Sequence, residues 1–342
     1  MDDLNLLFSA VPPLLGWYRL HKRDLPWRKQ RTPYTVLVSE LMLQQTRVEA
    51  VKERYVHFLQ RFPTAEALAD ANEEEVLKEW EGLGYYSRAR NLHKAAKIIK
   101  SEGFPQTWIG VRALPGVGDY TAGAICSIAL GLPSPAVDGN VLRILTRLLA
   151  DGRNTDDIAS KKYFSKRLEV VFPKEAGEFT EALMDLGATV CVPNGEPMCG
   201  ACPWVSICKA HARGEELLFP VRAEKKARRV EDLSVYVFKC GEKYAIEKRP
   251  PGGLLAGLWG FPIVPLGLGE PYMKQGSLLA TKKAKHIFTH VEWRMTGYLI
   301  KVDRCEVDFA PTFAPLTWAT PEEIKARYAI PSAFRAFKEW IE

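Results

Sequence analysis

Two carboxyl-bearing residues stand in sequence contexts that suit acid–base chemistry. Glu40 is the one charged residue in the apolar run 36–43, so a helix there would surround its carboxyl with apolar side chains. Burial of this kind raises the pKa of a carboxyl and keeps it protonated near neutral pH, as a general acid requires. Asp138 follows two prolines, where a new helix is expected to begin. The alternatives are a buried Glu40 bonded to an arginine or to a helix end, and an Asp138 that only caps its helix.

Cysteine spacing indicates a metal centre. Four of the seven cysteines lie within eighteen residues, with gaps of seven, two and five residues. Four such thiolates bind zinc or a [4Fe–4S] cluster, and the lack of two equal Cys-x2-Cys arms disfavours a ribbon-type zinc site. The odd total argues against a disulfide framework and for a reducing compartment. The cluster residues are Cys191, Cys199, Cys202 and Cys208; we expect Cys126, Cys240 and Cys305 to be small core residues.

A glycine turn between two helices predicts a nucleic-acid contact. Gly116 and Gly118 lie in this turn, ahead of an alanine-rich helix. Unpaired backbone N–H groups and the helix dipole both favour an anion at a helix start, so the hairpin suits a DNA phosphate. The stretch 81–90 combines glycines, paired tyrosines and two arginines. It predicts either a wedge with a phosphate contact, through Arg88 and Tyr85, or a turn packed by tyrosines.

A helical framework must position these residues. We expect one helix from Leu6 to about Lys22 and another from Thr32 to about Phe62, the latter begun by a Thr-Pro cap. Further helices are expected over 65–71, 73–80, 87–101, 158–171 and 176–188.

The apolar pattern changes to a period of two from Leu233 onward. It predicts a β-hairpin over 234–238 and 243–246, strands near 285–290 and 294–302, and helices at about 321–327 and 332–341. The chain is therefore expected to contain a mainly α domain (1–213), a basic linker (214–232) and an α+β domain (233–342).

Composition narrows the possible classes of protein. The chain has 342 residues, 47% of them hydrophobic, which is enough for about two domains with real cores. Its net charge of +6 permits nucleic-acid binding without requiring it. The sequence has no apolar run long enough for a membrane span and no basic N-terminal region of a secretory signal. We therefore expect an intracellular, cytoplasmic and nucleoid-associated protein.

Taken together, several segments resemble the adenine DNA glycosylases of the MutY type, within the endonuclease III superfamily. These are SELMLQQTRVEAV from Ser39, EGLGYYSRARNLHKAA from Glu81, LPGVGDYTAGAI from Leu114, AVDGNVLR from Ala136, the four cysteines, and GLWGFP from Gly257. The resemblance implies a helix-hairpin-helix glycosylase domain with a [4Fe–4S] cluster in loop 191–208. It also implies a MutT-like (Nudix-like) C-terminal domain that recognises 8-oxoguanine.

The implied function is base excision repair by a monofunctional glycosylase that acts as a monomer. It would flip adenine from double-stranded DNA and hydrolyse its N-glycosidic bond where adenine is mispaired with 8-oxoguanine or guanine. Tyr120 occupies the place where lyase relatives keep a nucleophilic lysine. This disfavours the alternative, a bifunctional endonuclease III-like glycosylase and AP lyase.

The resemblance also implies a role for each matching residue. Glu40 would protonate adenine, Asp138 would stabilise the sugar cation, and Asn140 and Tyr120 would act beside them. The implied adenine pocket consists of Arg23, Leu25, Trp27, Arg28 and Glu181. The expected DNA contacts are Gln45, Tyr85, Arg88, Gly116 and Gly118, and the implied readers of 8-oxoguanine are Phe288, Thr289 and His290.

Three departures from the family pattern stand out. The first cysteine gap has seven residues where the family usually has six, and Thr289 replaces a serine. The C-terminal domain lacks the acidic run by which MutT hydrolases bind metal, so we expect recognition there without nucleotide hydrolysis. A nucleotide pyrophosphatase would need that acidic run and is disfavoured for the same reason. A non-catalytic DNA-binding redox sensor would tolerate loss of Glu40.

Overall fold

The computed structural model describes residues 2–224, 227–307 and 315–341. The chain forms two compact units: one comprises Met1–Asp70 and Arg88–Glu224, and the other Ala71–Ser87 and Lys225–Glu342. The domain limits expected at residues 213 and 233 stay predictions. Within the described residues, no helix is both long and apolar enough to cross a membrane.

The segment before residue 214 is helical, and all its helices except α5 belong wholly or mainly to the first unit. They are α1 (Asp3–His21), α2 (Pro33–Leu43), α3 (Val48–Arg61), α4 (Ala65–Asp70), α5 (Glu73–Glu79), α6 (Ser87–Glu102), α7 (Trp108–Ala113), α8 (Asp119–Ile128), α9 (Gly139–Leu149), α10 (Ile158–Val171), α11 (Ala176–Asp185) and α12 (Lys209–Arg213). A single π-helical turn, Leu186–Val190, continues α11 toward the cysteine loop.

Helix α9 lies in the core of the first unit. Val141, Leu145 and Leu148 bury the same stripe against apolar residues of α1, α10 and α11, as the spacing of three and four residues requires. The helix start is therefore held by packing along the whole helix. Asp138 occupies that start as the N-cap residue.

The predicted single helix from Thr32 to Phe62 is wrong. The chain forms α2 and α3 instead, separated by a turn in which Gln45 has a φ of 54°. A glutamine in the left-handed region cannot continue an α-helix. The predicted start is confirmed, since the Thr32 hydroxyl accepts a hydrogen bond of 3.2 Å from the Thr35 N–H.

A mixed sheet forms the second unit. Its path is β3-β2-β1-β6-β5, with β4 paired to β1 and β7 paired to β2. The strands are β1 (Arg229–Cys240), β2 (Lys243–Lys248), β3 (Trp259–Gly260), β4 (Ile263–Pro265), β5 (Ser277–Ile287), β6 (Val291–Lys301) and β7 (Thr317–Ala319). The helices in this part of the chain are α13 (Glu270–Met273), α14 (Pro321–Arg327) and α15 (Arg335–Lys338).

The hairpin expected around residues 234–246 is confirmed. The two later strands, β5 and β6, are longer than expected and begin earlier. The helix expected over 332–341 is mostly wrong, because a 3-10 turn precedes the short α15. Apolar clusters cover both faces of the sheet. An ion pair links the segment 71–87 to the rest of this unit, with the Glu81 carboxylate 2.7 Å from Lys338 Nζ.

Cys240 and Cys305 are not the ordinary core residues that we expected. They form a disulfide, with Cα atoms 5.5 Å apart and 65 residues of sequence separation, and Cys305 is exposed. The reason is topological: β1 and β6 run parallel side by side, so the turns that follow them meet at one sheet edge. The expectation for Cys126, which is fully buried, is confirmed.

Candidate active site and its supporting elements

Glu40 is buried on α2, with 5% of its surface exposed. Its Oε2 atom has no hydrogen-bond partner in the described structure. Burial raises the pKa of this carboxyl to about 7; a hydrogen bond with Tyr120 opposes the rise, and the nearby charge of Asp138 adds to it. The apolar surroundings expected from the sequence are thus present, and the group holds its proton close to neutral pH.

Tyr120 brings a hydroxyl from α8 to the same place. Burial raises its pKa well above the usual value, and the charges of Glu40 and Asp138 raise it further. Its hydroxyl also lies 3.9 Å from the Met184 sulfur. Tyr120 is therefore a neutral hydroxyl beside two carboxyl groups, and the structure brings together the three residues that the sequence had suggested.

Asp138 both caps α9 and faces this site. Its Oδ1 accepts hydrogen bonds from the N–H groups of Asn140, at 2.9 Å, and Val141, at 2.8 Å. Its Oδ2 accepts one from Asn140 Nδ2 at 2.8 Å. Asp138 therefore caps α9 and also faces Glu40 and Tyr120, and the same three donors fix the orientation of its carboxylate.

A hydrogen-bonded network continues from Asn140 to the cysteine loop. Arg143 Nη2 donates to Asn140 Oδ1 at 3.1 Å and to the Gly187 carbonyl at 2.6 Å. Its Nε donates to the Cys191 carbonyl at 2.9 Å. Arg143 is 2% exposed, and sequence reasoning missed it. Its position one turn after Asn140, on the apolar face of α9, was the available signal.

The residues expected around adenine lie in a charged and aromatic layer. Arg23 Nε and Arg28 Nη1 donate to the fully buried Asp185 at 2.6 and 2.7 Å. Leu25 and Trp27 are buried, Trp27 with its ring 5.8 Å from that of Tyr55, so both side chains pack in the core. Their contact with a base stays a prediction.

Glu181 is the acidic member of that layer that acts on Glu40, since its charge raises the Glu40 pKa. It accepts a hydrogen bond from Tyr18 and one of 2.7 Å from Arg31. Sequence reasoning missed Tyr18, Arg31 and Asp185, because their pairing depends on the approach of α11 to α1 and to the segment between α1 and α2.

The glycine hairpin between α7 and α8 has the expected geometry. Gly116 has a φ of 80°, and a Cβ there would lie 2.8 Å from Asn91 Cβ, so a side chain would be both strained and crowded. Gly118 is the N-cap of α8. Because glycine has no side chain, the first N–H groups of α8 have no side-chain cap at Gly118 and suit a phosphate.

The predicted phosphate contact of Arg88 is wrong. Arg88 is 5% exposed, and its Nη1 atom donates to the carbonyls of Leu41 at 2.9 Å, Met42 at 2.7 Å and Gln44 at 2.6 Å. It therefore satisfies the last carbonyls of α2, which a helix cannot pair internally. Gln45 follows this end and is exposed.

The four clustered cysteines line one cavity, together with Arg147, His211 and Glu216. Arg147 Nη1 donates to Cys191 Sγ at 3.2 Å. Burial raises the pKa of Cys202 to about 12, and the neighbouring thiols add to the rise. Such a group of thiols needs a bound cation to be charged.

The sulfur positions test which metal group fits. In the described part of the chain, no three of the four sulfur atoms lie within 4.8 Å of one another, although Cys199, His211 and Glu216 do. Sulfur ligands of one tetrahedral zinc would lie about 3.8 Å apart, given a Zn–S bond of about 2.3 Å. The donor set therefore fits a group larger than one ion. Gly195, within the longer first gap, has a φ of 76°, which glycine adopts without steric cost.

The turn after β5 forms a second candidate site, within the second unit. The N–H of Phe288 donates to the Val291 carbonyl at 2.8 Å, and the Phe288 ring lies 4.8 Å from that of Trp293. The hydroxyl groups of Thr289 and Tyr85 form a hydrogen bond of 2.7 Å. Tyr85 is 48% exposed and has a φ of 45°. Strained backbone of this kind is concentrated at functional sites.

Comparisons with known proteins agree with this arrangement. Residues 38–173 match the HhH-GPD superfamily base excision DNA repair protein family, and residues 234–340 match the NUDIX domain. The chain is 34% identical to the adenine DNA glycosylase of Mus musculus over 398 residues, covering 95% of this chain and 77% of that one. It is 35% identical to that of Homo sapiens over 384 residues, covering 91% and 70%.

Among solved structures, a thermostable thymine-DNA glycosylase is similar, with a TM-score of 0.56 and 27% identity over 62% of this chain and 100% of that chain. The expected helix-hairpin-helix and Nudix-like folds are confirmed. On this evidence the chain belongs to the adenine DNA glycosylase family.

Proposed function

We propose that this enzyme hydrolyses the N-glycosidic bond of adenine mispaired with 8-oxoguanine or guanine in double-stranded DNA. The observation that carries the proposal is a buried Glu40, protonated near pH 7, beside Tyr120 and a fixed Asp138 carboxylate. A base inside a duplex is out of reach, so adenine must be flipped out at a cost of a few kcal/mol. Gln45 and Tyr85 are proposed to occupy the space that it leaves.

The two carboxyl groups then divide the work. Glu40 gives its proton to adenine N7, which makes adenine a neutral leaving group as the bond from N9 to the sugar carbon breaks. The sugar becomes an oxocarbenium-like cation, as in glycoside hydrolysis. Asp138 opposes that positive charge from its fixed position. Water then attacks the sugar carbon, and the ionised Glu40 accepts the proton that this water releases.

Tyr120 supports this division without joining the covalent chemistry. Its raised pKa keeps the hydroxyl neutral, so it remains a hydrogen-bond donor toward Glu40. A hydroxyl in place of an amine cannot form a Schiff base with the opened sugar. The proposed enzyme therefore releases the base without cutting the strand.

The turn 288–290 is proposed to read the base opposite adenine. Phe288 is anchored by Trp293, while Thr289 and His290 are exposed. The hydrogen bond between Thr289 and Tyr85 connects this turn to Tyr85, one of the residues proposed to fill the space left by adenine. The methyl group that threonine adds to the usual serine is bonded to the same Cβ as the hydroxyl that makes this contact, so it is proposed to affect the choice between 8-oxoguanine and guanine.

A [4Fe–4S] cluster is proposed to be bound by Cys191, Cys199, Cys202 and Cys208. Support comes from the four thiols around one cavity and from their wide spacing. When bound, its iron–sulfur bonds would tie loop 191–208 into a fixed structure. Through Cys191 and Arg143, the backbone of this loop bears on Asn140, and so on the Asp138 carboxylate.

The proposed function is tested by single-turnover base release. Duplexes would carry adenine opposite 8-oxoguanine, guanine, cytosine or thymine, and strand cleavage would be scored separately. We expect fast adenine release opposite 8-oxoguanine and guanine, with no strand cut. Glu40→Gln removes the proton donor and should slow release by about 10²- to 10⁴-fold. Release that is unaffected in Glu40→Gln, or absent from every duplex, would refute the proposal.

A further inference from the structure

Arg222 lies beside the start of the helix that carries Asp138. Its Nη2 atom is 3.8 Å from the point where a Cβ atom on Gly139, the first residue of α9, would lie. Arg222 itself is exposed. An exposed cation is therefore next to the proposed catalytic carboxylate.

The backbone on both sides of Arg222 is anchored to one loop. The Val221 carbonyl accepts from the Thr155 N–H at 3.0 Å and from its hydroxyl at 3.1 Å. The N–H of Ala223 donates to Asp156 Oδ2 at 3.0 Å. Hydrogen bonds on either side restrict the backbone, so the position of Arg222 next to Gly139 is preorganised.

The charge of Arg222 is not paired with a carboxylate of any described residue. Asp138, which precedes Gly139, already accepts three hydrogen bonds from N–H groups. A second observation points to a ligand here: within the described structure, Glu40 Oε2 is buried without a partner next to Asp138. These groups together suit a ligand that offers a proton acceptor to Glu40 and an anion to Arg222.

We propose that Arg222 binds a DNA phosphate next to the extruded nucleotide and so holds the sugar against Asp138. The inference rests on the proposed function, because Asp138 must lie close to the sugar, and each deoxyribose carries a phosphate on either side. A guanidinium suits this task because its planar fork of donors matches two phosphate oxygens. Arg222 is in this sense a positioning residue, acting on the phosphate and not on the reacting atoms.

The test measures how DNA affinity depends on salt. Dissociation constants for an adenine:8-oxoguanine duplex would be measured in a Glu40→Gln background between about 0.05 and 0.2 M salt. Loss of one phosphate contact should reduce the slope of log K against log salt by about 0.9, which is about eightfold in affinity at about 0.1 M. We expect this for Arg222→Ala, while Arg222→Lys keeps most of the slope. Arg19→Ala is the matched control, since exposed Arg19 pairs with Glu178 on α11.

A second arm locates the contact. A methylphosphonate at the phosphate on either side of the adenosine removes one negative charge at a time. At the contacted phosphate, it should weaken the Arg222 protein and leave the Arg222→Ala protein unchanged. An unchanged salt slope in Arg222→Ala, or equal sensitivity of both proteins to each methylphosphonate, would overturn the inference. Adenine release by the unmodified protein is measured in parallel, so that failure of the proposed function shows itself separately.

Discussion

Two buried glutamates of this chain have the same raised pKa and different surroundings. Burial raises the pKa to about 7 in both Glu40 and Glu247. Each follows an apolar run, so local sequence could predict burial for both. Glu40 has a second carboxylate and a tyrosine beside it, whereas Glu247 has Arg249 as its charged neighbour. The difference lies in contacts between distant segments, which spacing along the chain does not contain.

The pH dependence of base release should follow Glu40 alone. The protonated form is the proposed proton donor, so the single-turnover rate should fall as pH rises through about 7, by about tenfold per unit once the group is ionised. Rates would be measured on an adenine:8-oxoguanine duplex from acid to alkaline pH. Glu40→Gln should be slow at every pH and lose the downturn.

Glu247→Gln is the matched control, because it removes the other glutamate with a pKa near 7 and leaves the proposed site intact. It should retain the activity profile and change only stability. A group whose folded pKa is raised contributes stability that is lost as pH rises through that pKa, here between about 4.5 and 7. The same activity downturn in Glu40→Gln would assign it to another group.

At the scale of elements, the sequence could predict that α2 exists and where it begins, but not where it ends. The cap at Thr32 and the apolar face of α2 are local signals, and both are confirmed. The end of α2 depends on Arg88, which donates to three carbonyls from the start of α6, more than forty residues later. Local sequence does not reveal this contact. For that reason the sequence predicted one helix over 32–62 and a phosphate contact for Arg88.

Removing the Arg88 guanidinium should therefore destabilise α2 and, with it, the setting of Glu40. In Arg88→Met two buried carbonyls and one half-buried carbonyl lose their donor. We expect the stability of α2 to fall by about 3 kcal/mol, since one unsatisfied buried group costs about 1–3 kcal/mol. Hydrogen exchange of the α2 amides would measure this locally. The control is Lys94→Met, which removes a charge from the exposed side of α6, the helix that carries Arg88. It should leave the exchange of the α2 amides unchanged. Equal protection in both variants would contradict the capping role.

At the scale of the whole molecule, the sequence predicted two domains of different fold. The structure adds the segment 71–87 to the second of its two units. The change of apolar period at residue 233 predicted the sheet. The segment 71–87 groups with the second unit, and ion pairs such as that of Glu74 with Lys248, at 2.8 Å, accompany this grouping. No local pattern reveals such a pairing. Local sequence does not reveal the disulfide between Cys240 and Cys305 either, because the parallel pairing of β1 and β6 brings these two cysteines together.

That disulfide leads to a prediction in which the two units respond differently. A covalent link across 65 residues restricts the unfolded chain, and the chain-entropy estimate for such a loop is about 4 kcal/mol, treated as an upper figure. Reduction should therefore speed hydrogen exchange in β1 and β6 and leave α9 unaffected. Exchange per segment is the suitable measurement, since a two-unit protein does not unfold in a single transition.

The Cys240→Ser, Cys305→Ser double variant should behave like the reduced protein and no longer respond to reductant. Exchange in β1 and β6 that is the same with and without reductant, while α9 changes, would place the redox-sensitive contribution in the cysteine loop of the first unit instead.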